Sequence, residues 1–256
     1  MPRYKGHERL TSSEPGWGRC EVGTSEILSV RLISVRRHGV QRTLAVLAPA
    51  ARLEYLRLAA TFAPTVEDAL DGRVMANRVS GSSVDPPALA LRPWRLERRL
   101  FARALGEFAS AHRTVAIADV MACYASITPA LARDALERIG APEGPAVESL
   151  LTSLAHEGVR GLPVGPDPSA VLANAVLAHV DRVLGAEGIA HLRWVDDFVL
   201  GASDPRSARR GLAVIREALR GLGLRTNGSK TRVVADPSTL AGVAPSNTRR
   251  RTVVVG

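Results

Sequence analysis

The sequence predicts an α+β fold in which helices flank a small antiparallel sheet. Three observations lead there. Apolar residues recur at helical spacing over several long stretches, short apolar runs carrying acids interrupt them, and Gly, Pro and Asn mark the boundaries. The 256 residues suffice for one large domain or two small ones sharing a core, and a composition that is 46% hydrophobic and 23% charged describes a chain that folds.

In chain order, residues 1–25 are rich in Gly, Ser, Glu and Arg and read as a flexible segment. Residues 26–113 read as mainly helical. Within them 42–62 has helical spacing interrupted by Pro49, and Gly72–Pro87 suggests a short strand pair or an irregular loop. Pro93 starts a helix to His112, with Leu96, Leu100, Phe101, Ala104, Leu105 and Phe108 as its apolar face. The period then changes: TVAIADV ends a buried strand near Asp119. Thr128 is an N-cap, Pro129 follows at the first helical position, and Gly140 closes that helix. A further helix covers 143–156, residues 158–168 form a loop, and a helix runs from Asp167 to before Gly185. HLRWVDDFVLGA reads as a β-hairpin, Asp204-Pro205 caps another helix, and LRTNGSKTRVVA reads as strand, Asn227-Gly228 turn, strand. Residues 241–256 form a short basic tail.

Lys and Arg number 34 against 25 Asp and Glu, and the pI is near 10.8. That surplus suits a polyanionic partner, because neutralised phosphates release counterions, although an Arg-rich protein without such a partner has the same balance. Cys20 and Cys123 form no CxxC pair, so neither a thiolate metal site nor a disulfide framework follows. The first residues lack a signal-peptide core, and no run of about 18 uncharged apolar residues occurs. The expected location is the cytoplasm, without membrane contact.

Asp196 and Asp197 stand between apolar runs, where a hairpin tip lets neighbouring acids reach one cleft. Adjacent carboxylates repel unless a cation neutralises them, and hard oxygen ligands select Mg²⁺. A solvated Asp-Asp turn explains the pair alone. Asp119, in a second apolar strand, is costly without a partner; a helix cap or an arginine could also satisfy it. Two acidic strand sites together match a two-metal clamp for phosphoryl or nucleotidyl transfer.

With these residues in view, the sequence resembles the palm domain of reverse transcriptases, especially bacterial enzymes of the group II intron, retron and phage-defence type. ADVMACYASI resembles the first catalytic motif, GLPVGPDPSAVLANAVL the motif near the incoming nucleotide and template, RWVDDFVL the double-aspartate hairpin, and GLGLRTNGSKT the motif after it. The resemblance implies a polymerase palm at 114–240 behind a fingers-like region at 26–113. Asp119, the Val120 carbonyl, Asp196 and Asp197 would be ligands of two Mg²⁺ ions, with Mn²⁺ as a substitute. Lys230 would approach the triphosphate and protonate the leaving pyrophosphate. Tyr124 would exclude a ribose 2′-hydroxyl, although a core tyrosine fits its position too. Pro163, Val164 and Gly165 would adjoin the nucleotide, Arg73 and Arg78 would hold its triphosphate, and Ser169 and Asn174 would contact template or primer. Val164 stands where many relatives carry a glutamine-like residue, and Trp194 replaces a small residue or tyrosine. About twenty residues follow the Lys230 motif, too few for a helical thumb, so no thumb is evident.

The implied activity is RNA-directed DNA polymerisation with an RNA template, a DNA or RNA primer and deoxynucleoside triphosphates, in phage defence or a mobile element. A thumb-supplying protein or a non-coding RNA would be a further partner. The rivals are a template-independent or protein-primed nucleotidyltransferase and a non-catalytic nucleic-acid-binding palm.

Overall fold

The computed structural model describes residues 20–22, 26–37 and 40–240. The expected flexible segment at 1–25 and basic tail at 241–256 lie largely or wholly outside them. The chain forms β1 (Cys20–Val22), β2 (Glu26–Leu28), β3 (Val30–Arg37), β4 (Val40–Leu47), α1 (Pro49–Asp68), β5 (Val79–Val84), β6 (Pro87–Leu91) and α2 (Trp94–Ala111). Then follow β7 (Thr114–Asp119), α3 (Cys123–Ser126), α4 (Pro129–Arg138), α5 (Gly144–His156), α6 (Asp167–Ala186), β8 (His191–Trp194), β9 (Asp197–Ala202), α7 (Pro205–Gly221) and β10 (Arg232–Val234). The α+β expectation holds.

The central sheet has four strands in the order β10-β7-β9-β8, every pair antiparallel. Because side chains alternate along a strand, its two faces carry different sets. Ala116, Ala118, Phe198, Leu200 and Ala202 join the large core built with α1 and α4 to α7. Val115, Val199 and Trp194 join a smaller cluster with Phe101 and Leu105 of α2 and Leu240 of a terminal 3₁₀ turn. A strand buried on both faces reads as a continuous apolar run, which explains TVAIA.

The region 26–113 departs from the helical expectation. β3 and β4 pair antiparallel where helix was expected, while β5 and β6 form a strand pair, one of the two forms expected of Gly72–Pro87. Pro49 does not interrupt a helix but starts α1, at the position where its missing N–H costs nothing. In α2 the buried stripe is Glu97, Phe101, Leu105 and Ala109, whereas Leu96 and Leu100 are exposed. The stripe turned because Phe101 packs on Trp194, with ring centroids 5.2 Å apart.

Two caps follow their sequence signals. Thr128 accepts from the Leu131 N–H at 3.1 Å, and Asp204 accepts from the N–H groups of Arg206 and Ser207. Among the described residues, no helix is long and apolar enough to cross a membrane.

Candidate active site

Antiparallel register places Asp119, the last residue of β7, directly opposite Asp197, the first of β9. Residues opposed in this way share a face. Only Val195 and Asp196 separate β8 from β9, and Val195 adopts φ 56°, a left-handed conformation rare for a β-branched residue. The Val120 N–H donates to the Asp196 carbonyl at 3.1 Å, so the turn is fastened to the end of β7. Asp119 is 3% exposed and Asp197 7%.

The Lys230 motif is not the expected hairpin. Thr226 bridges to Val120 and Arg232 pairs with Ile117, so both flanks lie along the same strand and residues 227–231 bulge between them. The Asn227 N–H donates to the Asp119 carbonyl at 2.7 Å, and the Asn227 side chain accepts from the Ser229 N–H at 3.2 Å. The bulge delivers Lys230 Nζ to 2.7 Å from Asp119 Oδ2. Lys230 nevertheless keeps 45% of its side chain exposed, so the ammonium can leave Asp119 without unburying a core.

Burial, reinforced by the negative charge of Asp119, pushes the Asp196 carboxyl up to about 6, against the weaker pull of Lys230 and Arg42. Arg42 belongs to β4 and was not a sequence candidate; only the folded hairpin brings its charge to the turn. Among the described residues no group of three or more His, Cys, Asp or Glu side chains is gathered to hold a metal ion. Instead Asp119 is linked to Asp197 by register and to Asp196 by its field. These hard oxygens fit Mg²⁺, which is held by one or two carboxylates while water and substrate phosphates complete its shell. They do not fit a cage made of protein alone.

The GLPVG segment comes to the same end of the sheet. The Leu162 N–H donates to the Tyr124 carbonyl at 2.8 Å, and the Ala45 N–H of β4 donates to the Val164 carbonyl at 2.9 Å. The Leu162-Pro163 turn is thus pinned between Tyr124, five residues after Asp119, and β4. Pro163 is buried, Val164 half-buried and Gly165 exposed, while Tyr124 is half-buried with its hydroxyl pKa raised by burial. Gly161 makes the approach possible: at φ 65°, a Cβ there would run into the Tyr124 carbonyl and the Ala125 backbone. Gly161→Ala should therefore cost left-handed strain of about 1–2 kcal/mol and overpacking of about 1–3 kcal/mol, read as a lowered melting temperature.

Three candidates, Ser169, Asn174 and Arg78, serve the interior instead. Ser169 is fully buried, with its Oγ 3.0 Å from the Tyr55 hydroxyl, and Asn174 donates to the carbonyls of Ala76 and Asn77 while accepting from Arg193. Neither offers an atom to template or primer. Arg78 is spent on Glu67 and on the carbonyls of Asp71 and Val74, and Arg73 pairs with Asp71 beside Gly185 at the far end of α6. The Arg78 guanidinium is committed to these partners, while Arg73 keeps 43% of its side chain exposed. Conversely, Arg193, Asp181 and His191 form a buried network that sequence reading missed. Burial would raise the Asp181 carboxyl pKa, but the Arg193 charge and the hydrogen bonds from His191 and Arg193 outweigh it and hold it below the usual value. An arginine among 34 basic residues announces nothing about its depth.

The geometry agrees with comparisons against known proteins. The family model for reverse transcriptase (RNA-dependent DNA polymerase) matches residues 70–245. No curated protein matches. Among solved structures, telomerase from Candida albicans, in complex with a TWJ fragment of telomeric RNA, is similar with a TM-score of 0.56 at 12% identity. The alignment covers 80% of this chain and 42% of that one, so this chain spans less than half the telomerase it matches. Apo telomerase from Candida tropicalis, truncated from its C-terminal domain, matches with a TM-score of 0.46 at 12% identity, over 80% of this chain and 49% of that one. The small antiparallel sheet with its flanking helices is a polymerase palm-like fold. The family match covers more than half of the residues and contains Asp119, Asp196, Asp197 and Lys230, and the chain belongs to the reverse transcriptase (RNA-dependent DNA polymerase) family.

Proposed function

We propose that this chain catalyses RNA-directed addition of deoxynucleotides to a primer 3′-hydroxyl. The observation that carries the reading is the meeting of three segments at one sheet end: Asp119 opposite Asp197, Asp196 on the adjoining turn, and Lys230 on Asp119. A binding module has no use for carboxylates that repel phosphate. Asp119, Asp196, Asp197 and the Val120 carbonyl would hold two Mg²⁺ ions, with Mn²⁺ able to substitute. The bound ion supplies Lewis-acid charge stabilisation to nucleotidyl transfer.

The other steps belong to the chain's own groups. Lys230 neutralises Asp119 before substrate arrives, then moves to the triphosphate and gives a proton to the departing pyrophosphate. Arg42, on β4, is close enough for its charge to act on Asp196 and would assist Lys230 in holding the triphosphate, the task expected of Arg73 and Arg78. The Leu162–Gly165 turn and Tyr124 form one wall because their backbones are bonded together, and Tyr124 excludes a 2′-hydroxyl. Tyr124→Ala should therefore relax discrimination against ribonucleotides by about 10- to 200-fold, read as the ratio of kcat/KM values.

The deciding experiment supplies purified protein with Mg²⁺, an RNA template, a DNA primer and deoxynucleoside triphosphates. Templated incorporation that disappears in Asp119→Asn is the expected result. Undiminished incorporation by that variant overturns the reading, and incorporation independent of template identifies a template-independent nucleotidyltransferase instead.

A further inference from the structure

We infer that Arg193 is a positioning residue for the catalytic turn, and that through Asn174 it ties the setting of Asp196 to the segment 73–78. The inference rests on the reading of Asp196 as part of an active site and adds the device that holds it. Arg193 is 0% exposed, an expensive place for a guanidinium. Its Nε donates to both Asp181 oxygens, at 3.0 and 2.9 Å, and its Nη2 to Oδ2 at 2.7 Å. Charge neutralisation needs no more than this.

The remaining nitrogen does something a salt bridge does not require. Nη1 donates to Asn174 Oδ1 at 2.8 Å and to the Val195 carbonyl at 2.9 Å. Val195 is the left-handed residue of the turn, and its carbonyl belongs to the peptide that leads into Asp196. A β-branched residue holds φ 56° only when its surroundings over-determine it. The Arg193 fork supplies that determination, and the Val120 N–H completes it from the other side by donating to the Asp196 carbonyl.

The same two residues grip the segment before β5. The Arg193 N–H donates to the Arg73 carbonyl at 2.8 Å, and the Arg193 carbonyl accepts from the Met75 N–H at 3.1 Å. Asn174 Nδ2 donates to the carbonyls of Ala76 and Asn77, whose chain is held in turn by Glu97 through the N–H groups of Asn77 and Arg78. A hydrogen-bonded path therefore runs from α2 through residues 76–78, Asn174 and Arg193 to Val195. A shift of this segment reaches the turn that carries Asp196.

The test uses the full chain and two variants, Arg193→Lys and Asn174→Ala. Arg193→Lys keeps the charge but cannot reach Asp181, Asn174 and Val195 together. Asn174→Ala leaves the Arg193–Asp181 pair in place and serves alone if the lysine variant does not fold. The expected result, per folded molecule, is a kcat lowered about 10- to 100-fold, with the deoxynucleotide KM within about threefold of the parent. Amide hydrogen exchange gives a readout independent of activity. The Val120 amide, which reports the grip on Asp196, should exchange about tenfold faster while amides at the centre of β7 and β9 stay unchanged. Normal kcat with normal Val120 exchange overturns the inference, and so does uniform acceleration across the sheet, the signature of lost stability alone. An inactive parent overturns the proposed function, and the exchange measurement still judges Arg193.

Discussion

Asp196→Asn is expected to abolish nucleotide incorporation while making the metal-free protein more stable. The activity loss follows from removing a carboxylate proposed to hold Mg²⁺. If that charge stabilisation is worth several kcal/mol, the rate falls by about 10³-fold. The stability gain comes from the folded protein's own electrostatics. Burial and the neighbouring Asp119 raise the Asp196 carboxyl from 3.8 to about 6. In the window between those values the folded state still binds its proton and the unfolded state has released it, so stability falls as pH rises through the window. Above about 6 the full penalty is present, and below 3.8 it vanishes. At roughly 1.4 kcal/mol for each pH unit of the window, the asparagine variant should be about 2–3 kcal/mol more stable at pH 7.5 and equal to the parent near pH 3.5. Thermal unfolding in chelator across pH checks this. Added Mg²⁺ should stabilise the parent and leave the variant nearly unmoved. A variant no more stable than the parent at pH 7.5 would show that the carboxylate is not strained by its surroundings.

The contact between Lys230 and Asp119 gives the resting site a related logic. A carboxylate that is 3% exposed needs a counter-charge, and the bulge at residues 227–231 supplies one on a half-exposed side chain. In the proposed mechanism substrate triphosphate would compete for the same ammonium, so arrival of nucleotide would free Asp119 as Lys230 moved. The resting ion pair and the proposed role of Lys230 are two positions of one side chain.

The parts of this fold legible in the sequence are those set by local rules. VAIAD and WVDDFVL are apolar runs interrupted only by acids, and they lie in neighbouring strands with the acids at one end. Thr128 and Asp204 lie where a side-chain oxygen can meet free N–H groups, and both cap. What stayed hidden depends on pairing across the chain. Residues 42–47 contain Leu and Ala that suit a helix, and only β3 and the loop carbonyl of Val164 make them a strand. The LRTNGSKT segment carries a turn signal that was read correctly as a turn, but its flanks found β7 rather than each other. Arg78 and Arg42 look alike in sequence; one is consumed by Glu67 and the other feels Asp196. Ser169 and Asn174 lay in a recognisable motif, yet the helix turned them inward. A motif fixes which residues are present and leaves open which of them face a ligand.

Asp181→Ala should be the most destabilising single change in the palm, costing about 3–5 kcal/mol, because it leaves the Arg193 guanidinium buried without its counter-charge. Asp181 lies on α6 and receives three contacts from Arg193 and one from His191 Nε2 at 3.3 Å. Asp181→Asn should cost less, since an amide oxygen still accepts, but the charge is lost in both. The sign with pH is opposite to that of Asp196. Its folded value lies below the ordinary 3.8, so the stabilisation is fully present above the unfolded value and is lost as pH falls through the depressed folded one. The deficit of Asp181→Ala relative to the parent should therefore be constant at neutral pH and shrink in strong acid. Denaturant unfolding across pH measures it. A deficit under about 1 kcal/mol at pH 7 would mean that the pair is worth no more than an exposed surface bridge. Replacing both partners by apolar residues should recover much of the loss, since the cost lies in the orphaned charge rather than in the missing bond. That double variant should nevertheless leave Val195 without the donor that fixes its carbonyl, so recovered stability without recovered kcat would separate what Asp181 does for the fold from what Arg193 does for the turn.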